Sequence, residues 1–297
     1  HCRGTGGSQG YHCPHFESTG SLTAVKNREK GNDTGHRIMR VSYHVAIHMI
    51  ELKTAKELER MAKACQISAI ALQEAGKSIE PGMSTKELDH IIEKKIRSFG
   101  AKPNFLGYGG FPGSACISLN DTVIHGIPSR DIIIRDGDIV SVDTGAFYDD
   151  FNGDNAYTFA VGEISAEAKA LLDATNESLY EGIKAVKPGA RIGDIGFAVQ
   201  SYVEARGYAV VRKFVGHGVG RHLHEAPDVP NFGKSGHGVR LVAGMTIAIE
   251  PMINIKGEDV RTLKDGWTVK TVSGSLSAHF EHTVAVTDRG AVILTRA

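Results

Sequence analysis

Apolar residues recur along this chain in blocks whose period changes, and each change marks an element. From Thr54 onward Leu58, Met61, Cys65 and Leu72, with alanines between them, follow the spacing of one helix face. Thr54-Ala-Lys-Glu57 opens that helix as a capping box, in which the hydroxyl and the carboxylate satisfy backbone N–H groups left unpaired at a helix start. Ser84-Thr-Lys-Glu87 opens a second helix, with Leu88, Ile91, Ile92 and Ile96 inward and a stop at Gly100. The pattern then shortens to strand length at residues 115–119, 139–142 and 156–161. Ser165 caps a third helix through Leu171, Leu172, Leu179 and Ile183. A fourth covers about residues 192–205, ahead of Gly207. From Val210 onward short strands alternate with Gly-rich turns.

Residues 1–48 have no such pattern. They are Gly-rich, carry no sustained period and do not begin with Met, so they read as a disordered or spurious N-terminal extension to a folded unit over 49–297.

Within the folded unit the chain repeats itself. Pro81-Gly82 recurs as Pro188-Gly189, Gly100 as Gly207, and Gly137-Asp-Ile-Val-Ser-Val-Asp143 as Gly244-Met-Thr-Ile-Ala-Ile-Glu250, each 107 positions on. One constant offset predicts two helix-plus-sheet halves about a pseudo-twofold axis, with Asp143 and Glu250 facing each other across it.

Composition narrows the class. Lys plus Arg and Asp plus Glu both number 34, a balance that gives no general attraction to nucleic acid or to an anionic membrane. No apolar run approaches the ~20 residues that span a bilayer, and no charged-then-apolar leader is evident. Cys2, Cys13, Cys65 and Cys116 are scattered rather than framed as disulfides. Cytoplasmic residence is the expectation.

The chemistry-bearing residues lie at strand ends and in Gly-rich stretches. Asp143 closes a strand, a turn containing Asn152-Gly153 reverses the chain, and Asp154 starts the return strand, so both carboxylates can reach one cation. His217 sits in Phe214-Val-Gly-His-Gly-Val-Gly220, where flanking glycines expose the imidazole, and His224 follows seven residues on. Glu250 ends the apolar run Thr246-Ile-Ala-Ile249. Glu281 lies in one strand with His279 on its own face. Singly, each fits an ion pair as well as a ligand. Together, two Asp, two Glu and one His suit two divalent ions, with Co, Mn, Fe and Zn all admissible.

These residues stand in motifs that resemble those of the type I methionine aminopeptidases: Ile139-Val-Ser-Val-Asp143, Asn152-Gly-Asp154, Gly216-His-Gly-Val-Gly220, Ile249-Glu-Pro-Met252 and Phe280-Glu-His-Thr283. Asn120-Asp-Thr-Val-Ile-His-Gly-Ile-Pro128 and Asp265-Gly-Trp-Thr-Val-Lys270 match too, in the family's order, over about residues 50–296. The resemblance implies an α+β, pita-bread (creatinase/aminopeptidase) fold and removal of the initiator methionine from nascent chains whose second residue is small. It implies Asp143, Asp154, His217, Glu250 and Glu281 as ligands of two metal ions, with Asp154 and Glu281 bridging. His125, His224 and Glu250 become the catalytic groups, the two histidines facing substrate. Tyr108, Phe111, Cys116 and Trp267, with Phe105, become the methionine pocket. A monomer meeting nascent polypeptide N-termini near the ribosome, without nucleic-acid or membrane binding, completes the implied picture.

Three positions depart from the pattern. Leu223 is aromatic in some relatives, Tyr157 replaces a basic or polar residue, and His279 replaces Gln, bringing a third imidazole toward the ions. The short interval from His224 to Glu250 lacks the helical insertion of the type II enzymes. A proline-specific aminopeptidase or dipeptidase of the same fold is the alternative; a catalytically silent relative would have lost ligands.

Overall fold

Both capping boxes close. Thr54 Oγ1 accepts the Glu57 N–H and the Glu57 carboxylate accepts the Thr54 N–H at the start of α1 (Ala55–Ser78); Ser84 and Glu87 do the same for α2 (Thr85–Ser98). Each cap stabilises its helix by ~1 kcal/mol. The protein, seen in a computed structural model, is described over residues 50–296, so the expectation for residues 1–48 lies outside the described residues.

After the two helices come β1 (Lys102–Pro103), β2 (Ala115–Leu119), β3 (Thr122–Ile124), β4 (Ile139–Tyr148) and β5 (Phe151–Ala160). The second half holds α3 (Ala166–Ala185), α4 (Ile192–Glu204), β6 (Ala209–Val210), β7 (Gly216–Gly218), β8 (Glu225–Val229), β9 (Thr246–Ile249) and β10 (Met252–Asn254). β11 (Val260–Thr262), β12 (Val269–Thr271), β13 (Ser277–His279), β14 (Glu281–Thr287) and β15 (Gly290–Ile293) follow. One large antiparallel sheet runs β1-β4-β5-β14-β9-β7-β8, with β2 on β4 and β15 on β14. Two three-stranded sheets, β13-β10-β6 and β11-β12-β3, flank it.

The internal repeat is visible bond by bond. Gly82 N–H donates to Ile134 O, and its counterpart Gly189 N–H donates to Leu241 O. The lone bridge Ser84–Ile133 returns as Arg191–Arg240. The paired glycines share a left-handed backbone, with φ of 96° and 82° at Gly82 and Gly189 and 86° and 93° at Gly137 and Gly244. Such φ values carry little steric cost only for glycine, so the repeated turns dictate the repeated residue.

Each half buries its helices on the sheet. Ile67, Leu72, Leu88, Ile92 and Ile96 pack against Ile117, Val140 and Val142 in one, and Leu171, Leu179, Ile195 and Val203 against Ile247, Ile249 and Val284 in the other. A smaller cluster of Met61, Cys65, Phe151, Val219 and Ala248 draws on both. No helix among the described residues is long and apolar enough to cross a membrane.

Two sequence expectations need correction. The β4 strand does not end at Asp143 but continues to Tyr148, and the turn is Asp149-Asp150 rather than Asn152-Gly153. Both aspartates take positive φ, 51° and 66°, as a two-residue hairpin turn demands, and Arg60 pairs with both carboxylates. Asn152-Gly153 is instead kept inside β5 by packing. A Cβ on Gly153 would lie 2.4 Å from Cys65 Cα, so only glycine lets α1 approach β5 so closely. The second correction is at Phe280, which breaks the expected single strand into β13 and β14, in different sheets. Thr158 Oγ1 accepts the His279 N–H and donates to the His279 carbonyl, replacing the strand bonds lost at the switch.

Candidate metal centre

The middle of the large sheet gathers the acidic residues. In the β4–β5 ladder Asp143 opposes Ala156 and Asp154 opposes Gly145, so the two carboxylates are diagonal neighbours on one face. Glu281 opposes Ala156 from the other side of β5. Glu250 follows the last residue of β9, next to β14. His217 lies within β7 rather than in a loop, and its neighbours Gly216 and Gly218 allow backbone contact that a Cβ would block at 2.3 Å and 2.4 Å.

Ligand atoms of Asp154, His217 and Glu281 all lie within 4.8 Å of one another, and all three residues are buried. His217 Nε2 is 3.8 Å from Asp154 Oδ2 and 3.6 Å from Glu250 Oε1. Two atoms bound to one ion at ~2.1 Å each can be no more than ~4.2 Å apart, so these spacings fit shared ligation. The His217 Nδ1–H donates to the Gly218 carbonyl at 2.8 Å, which leaves the Nε2 lone pair turned to the carboxylates, the tautomer a metal requires. Asp143 Oδ1, Asp154 Oδ1 and Glu281 Oε1 are buried without a hydrogen-bond partner. Unpartnered buried carboxylate oxygens are costly in a closed protein and are what cations satisfy.

Electrostatics agree. Burial pushes the Asp143 carboxyl up to about 7, with the His279 imidazole opposing and the Glu250 charge adding. Burial likewise takes Glu250 to about 7 against the pull of His217. Asp154 and Glu281 go well above the usual carboxylate range, from burial first and then from the neighbouring carboxylates. In the metal-free protein these groups therefore hold protons that the unfolded chain has already released. The contribution of Asp143 and Glu250 to stability is fully present below the unfolded value near 4 and is lost as pH rises through about 7. Metal binding must expel those protons. Apparent Mn(II) affinity should accordingly fall as pH drops from 7.5 to 5.5, with proton uptake by buffer detectable calorimetrically; affinity independent of pH would contradict the protonated cluster.

A buried apolar cluster adjoins the carboxylates. Phe105, Phe111, Cys116 and Leu223 form one buried cluster, with Ile127 and Trp267 packed against it. Cys116 opposes Asp143 in the β2–β4 ladder, so this cluster and the carboxylates share a sheet face. Burial raises the Cys116 thiol well above its ordinary value, keeping it neutral. Tyr108 is at the rim rather than in the cluster, 39% exposed, with its hydroxyl 2.8 Å from His224 Nδ1. The His224 ring lies 4.0 Å from that of His217. His125 takes a left-handed backbone, φ 57°, and its ring meets the edges or faces of Phe214 and Trp267. Strain of this kind persists where surroundings over-determine a side chain's direction.

The site thus brings together all five candidate ligands, with His224 beside them. His279 is buried with Nε2 3.5 Å from Glu250 Oε2, so the third imidazole does reach the cluster. Leu223 is buried in the apolar cluster with Phe105, Phe111 and Cys116. Asn152 has the composition of a turn residue, yet its amide donates to the carbonyls of Gly220 and Arg221 and ties the His224 turn to β5.

The description Metallopeptidase family M24 matches residues 59–288 of the chain. The chain belongs to this family, among the methionine aminopeptidases. It is 50% identical over 248 residues to methionine aminopeptidase 1 of Bacillus subtilis, covering 84% of this chain and 100% of that one. The crystal structure of methionine aminopeptidase from Thermotoga maritima superposes with a TM-score of 0.83 at 46% identity, again over 84% of this chain and all of the other. Prolidase from Pyrococcus furiosus is more distant, with a TM-score of 0.67 at 26% identity over 83% of this chain and 65% of its own. The two related halves are those of the pita-bread fold.

Proposed function

We propose that the chain removes N-terminal methionine, including the initiator methionine of nascent proteins, when the second residue is small. The observation that carries this is the ladder pair Cys116–Asp143, which joins the apolar cluster to the carboxylate cluster. A pocket of aromatic rings, a neutral thiol and Leu223 suits a thioether side chain, which packs favourably against ring edges. A methionine there would present its amine and carbonyl to the cluster.

Asp143, Asp154, His217, Glu250 and Glu281 would hold two divalent ions. Bound there, such ions supply Lewis acidity and a nucleophile competent at neutral pH. His224, oriented by the Tyr108 hydroxyl, would donate to the carbonyl oxygen as negative charge develops on it. Glu250, poised by burial, would take a proton from the attacking water at its carboxylate and deliver it to the leaving amine. His125 would hydrogen-bond the scissile amide nitrogen. Phe111, Cys116 and Trp267 would line the methionine side chain, with Tyr108 at its mouth. The catalytic unit is residues 49–297, acting as a cytoplasmic monomer on nascent chains near the ribosome.

A proline-specific reading draws support from the prolidase likeness, but that protein is longer and more distant than the methionine aminopeptidases. Turnover of Met-Ala-Ser, Met-Leu-Ser and Ala-Pro-Ser separates the readings. Met-Ala-Ser should be cleaved fastest and Met-Leu-Ser at least ~10-fold more slowly, as for a side chain that cannot enter a fitted subsite.

A further inference from the structure

Lys53 precedes α1, yet its side chain is only 4% exposed, and its ammonium lies 2.5 Å from Glu225 Oε2, itself in a side chain 8% exposed. A buried ion pair adds little net stability on average, because desolvation of both charges offsets their attraction. Its geometry here is more informative. Glu225 Oε1 accepts the His222 N–H at 3.0 Å, so one carboxylate grips Lys53 with one oxygen and the turn backbone with the other. That turn carries Leu223 and His224. The pair also lies flush on the turn: a Cβ on Gly220 would be 2.5 Å from both Lys53 Cε and Glu225 Oε1.

Lys53 is itself anchored to the turn that leads into β9. Its N–H donates to the Gly244 carbonyl at 2.8 Å, and its ammonium donates to the Glu51 carbonyl at 3.2 Å. The other side of the turn is held by Asn152 through the Gly220 and Arg221 carbonyls, and by the Arg221–Glu57 ion pair. From this geometry we propose that Lys53 is a positioning residue, acting through Glu225 to fix the 222–225 turn and so the placement of the His224 ring. The segment ahead of α1 thereby becomes part of the active-site support. This inference rests on the reading of His224 as the donor to the substrate carbonyl.

Metal-loaded full-length chains carrying Lys53→Met, Glu225→Gln, both together, or His224→Ala would be assayed on Met-Ala-Ser, with bound metal and melting temperature measured on each. Displacing a catalytic group by ~1 Å costs on the order of 100-fold, so each single variant should lose ~10- to 100-fold in kcat, with KM within ~2-fold and metal content unchanged. The double variant should be no slower than the worse single, because both changes break one strut. It also leaves no unpaired buried charge, so it carries the test where Lys53→Met alone does not fold. Parent-like kcat in the folded variants, or losses that multiply in the double, would overturn the strut. Parent-like kcat in His224→Ala would instead overturn the role of His224 itself.

Discussion

Stripped of divalent metal, the protein should release no measurable methionine from Met-Ala-Ser, and activity should return on adding Mn(II), Co(II) or Fe(II). Asp143, Asp154, Glu250 and Glu281 are crowded into one buried cluster where the charges acting on them are each other and the imidazoles of His217 and His279. Without a cation Asp154 and Glu281 retain protons near neutral pH, and a protonated carboxyl neither draws a proton from water nor polarises a carbonyl. Lewis-acid stabilisation worth several kcal/mol corresponds to at least ~10³-fold in rate. Chelation followed by dialysis and add-back, with product quantified by chromatography, measures it. Undiminished turnover in protein shown by elemental analysis to be metal-free would contradict a metal centre at these residues.

His224→Ala and Asp143→Asn should fail in different ways. His224 stacks on Tyr108 and lies beside His217, and is a donor rather than a ligand in the proposed mechanism. Its loss should lower kcat ~10²- to 10³-fold, as for a lost oxyanion donor, and leave metal content intact. Asp143→Asn replaces an anionic ligand with a neutral amide and should weaken metal binding. It also removes one charge from a cluster in which carboxylates raise one another's proton affinity. The metal-free Asp143→Asn protein should therefore melt no lower than the metal-free parent near pH 7.5, although its metal-loaded form melts lower. Elemental analysis and melting curves on both variants decide the matter; equal metal loss would contradict the division of roles.

Much of this was legible in the chain itself. The capping boxes at Thr54 and Ser84 are local chemistry and formed as read. The 107-residue offset survived because the turns at Gly82 and Gly189 need the same left-handed backbone. All five candidate ligands converge, since four sit in strands at the centre of the sheet and Glu250 directly follows β9 there. What sequence could not supply was tertiary. Asn152-Gly153 has the composition of a tight turn, but close packing of α1 on Gly153 and the Asn152 bonds to Gly220 and Arg221 hold it in a strand. The break at Phe280 depends on Thr158, more than a hundred residues away. Leu223 and the Lys53–Glu225 pair gave no periodic signal, because their meaning lies in contacts between distant segments.

The central claim is that a thioether pocket feeds this metal centre, and one competition measures it. The metal-loaded full chain would be given equal amounts of Met-Ala-Ser and Ala-Pro-Ser, and the released amino acids quantified by mass spectrometry. Free methionine should accumulate while Ala-Pro-Ser remains intact. Release of alanine from Ala-Pro-Ser, with Met-Ala-Ser spared, would contradict the account and place the chain with the proline-specific enzymes of the same fold.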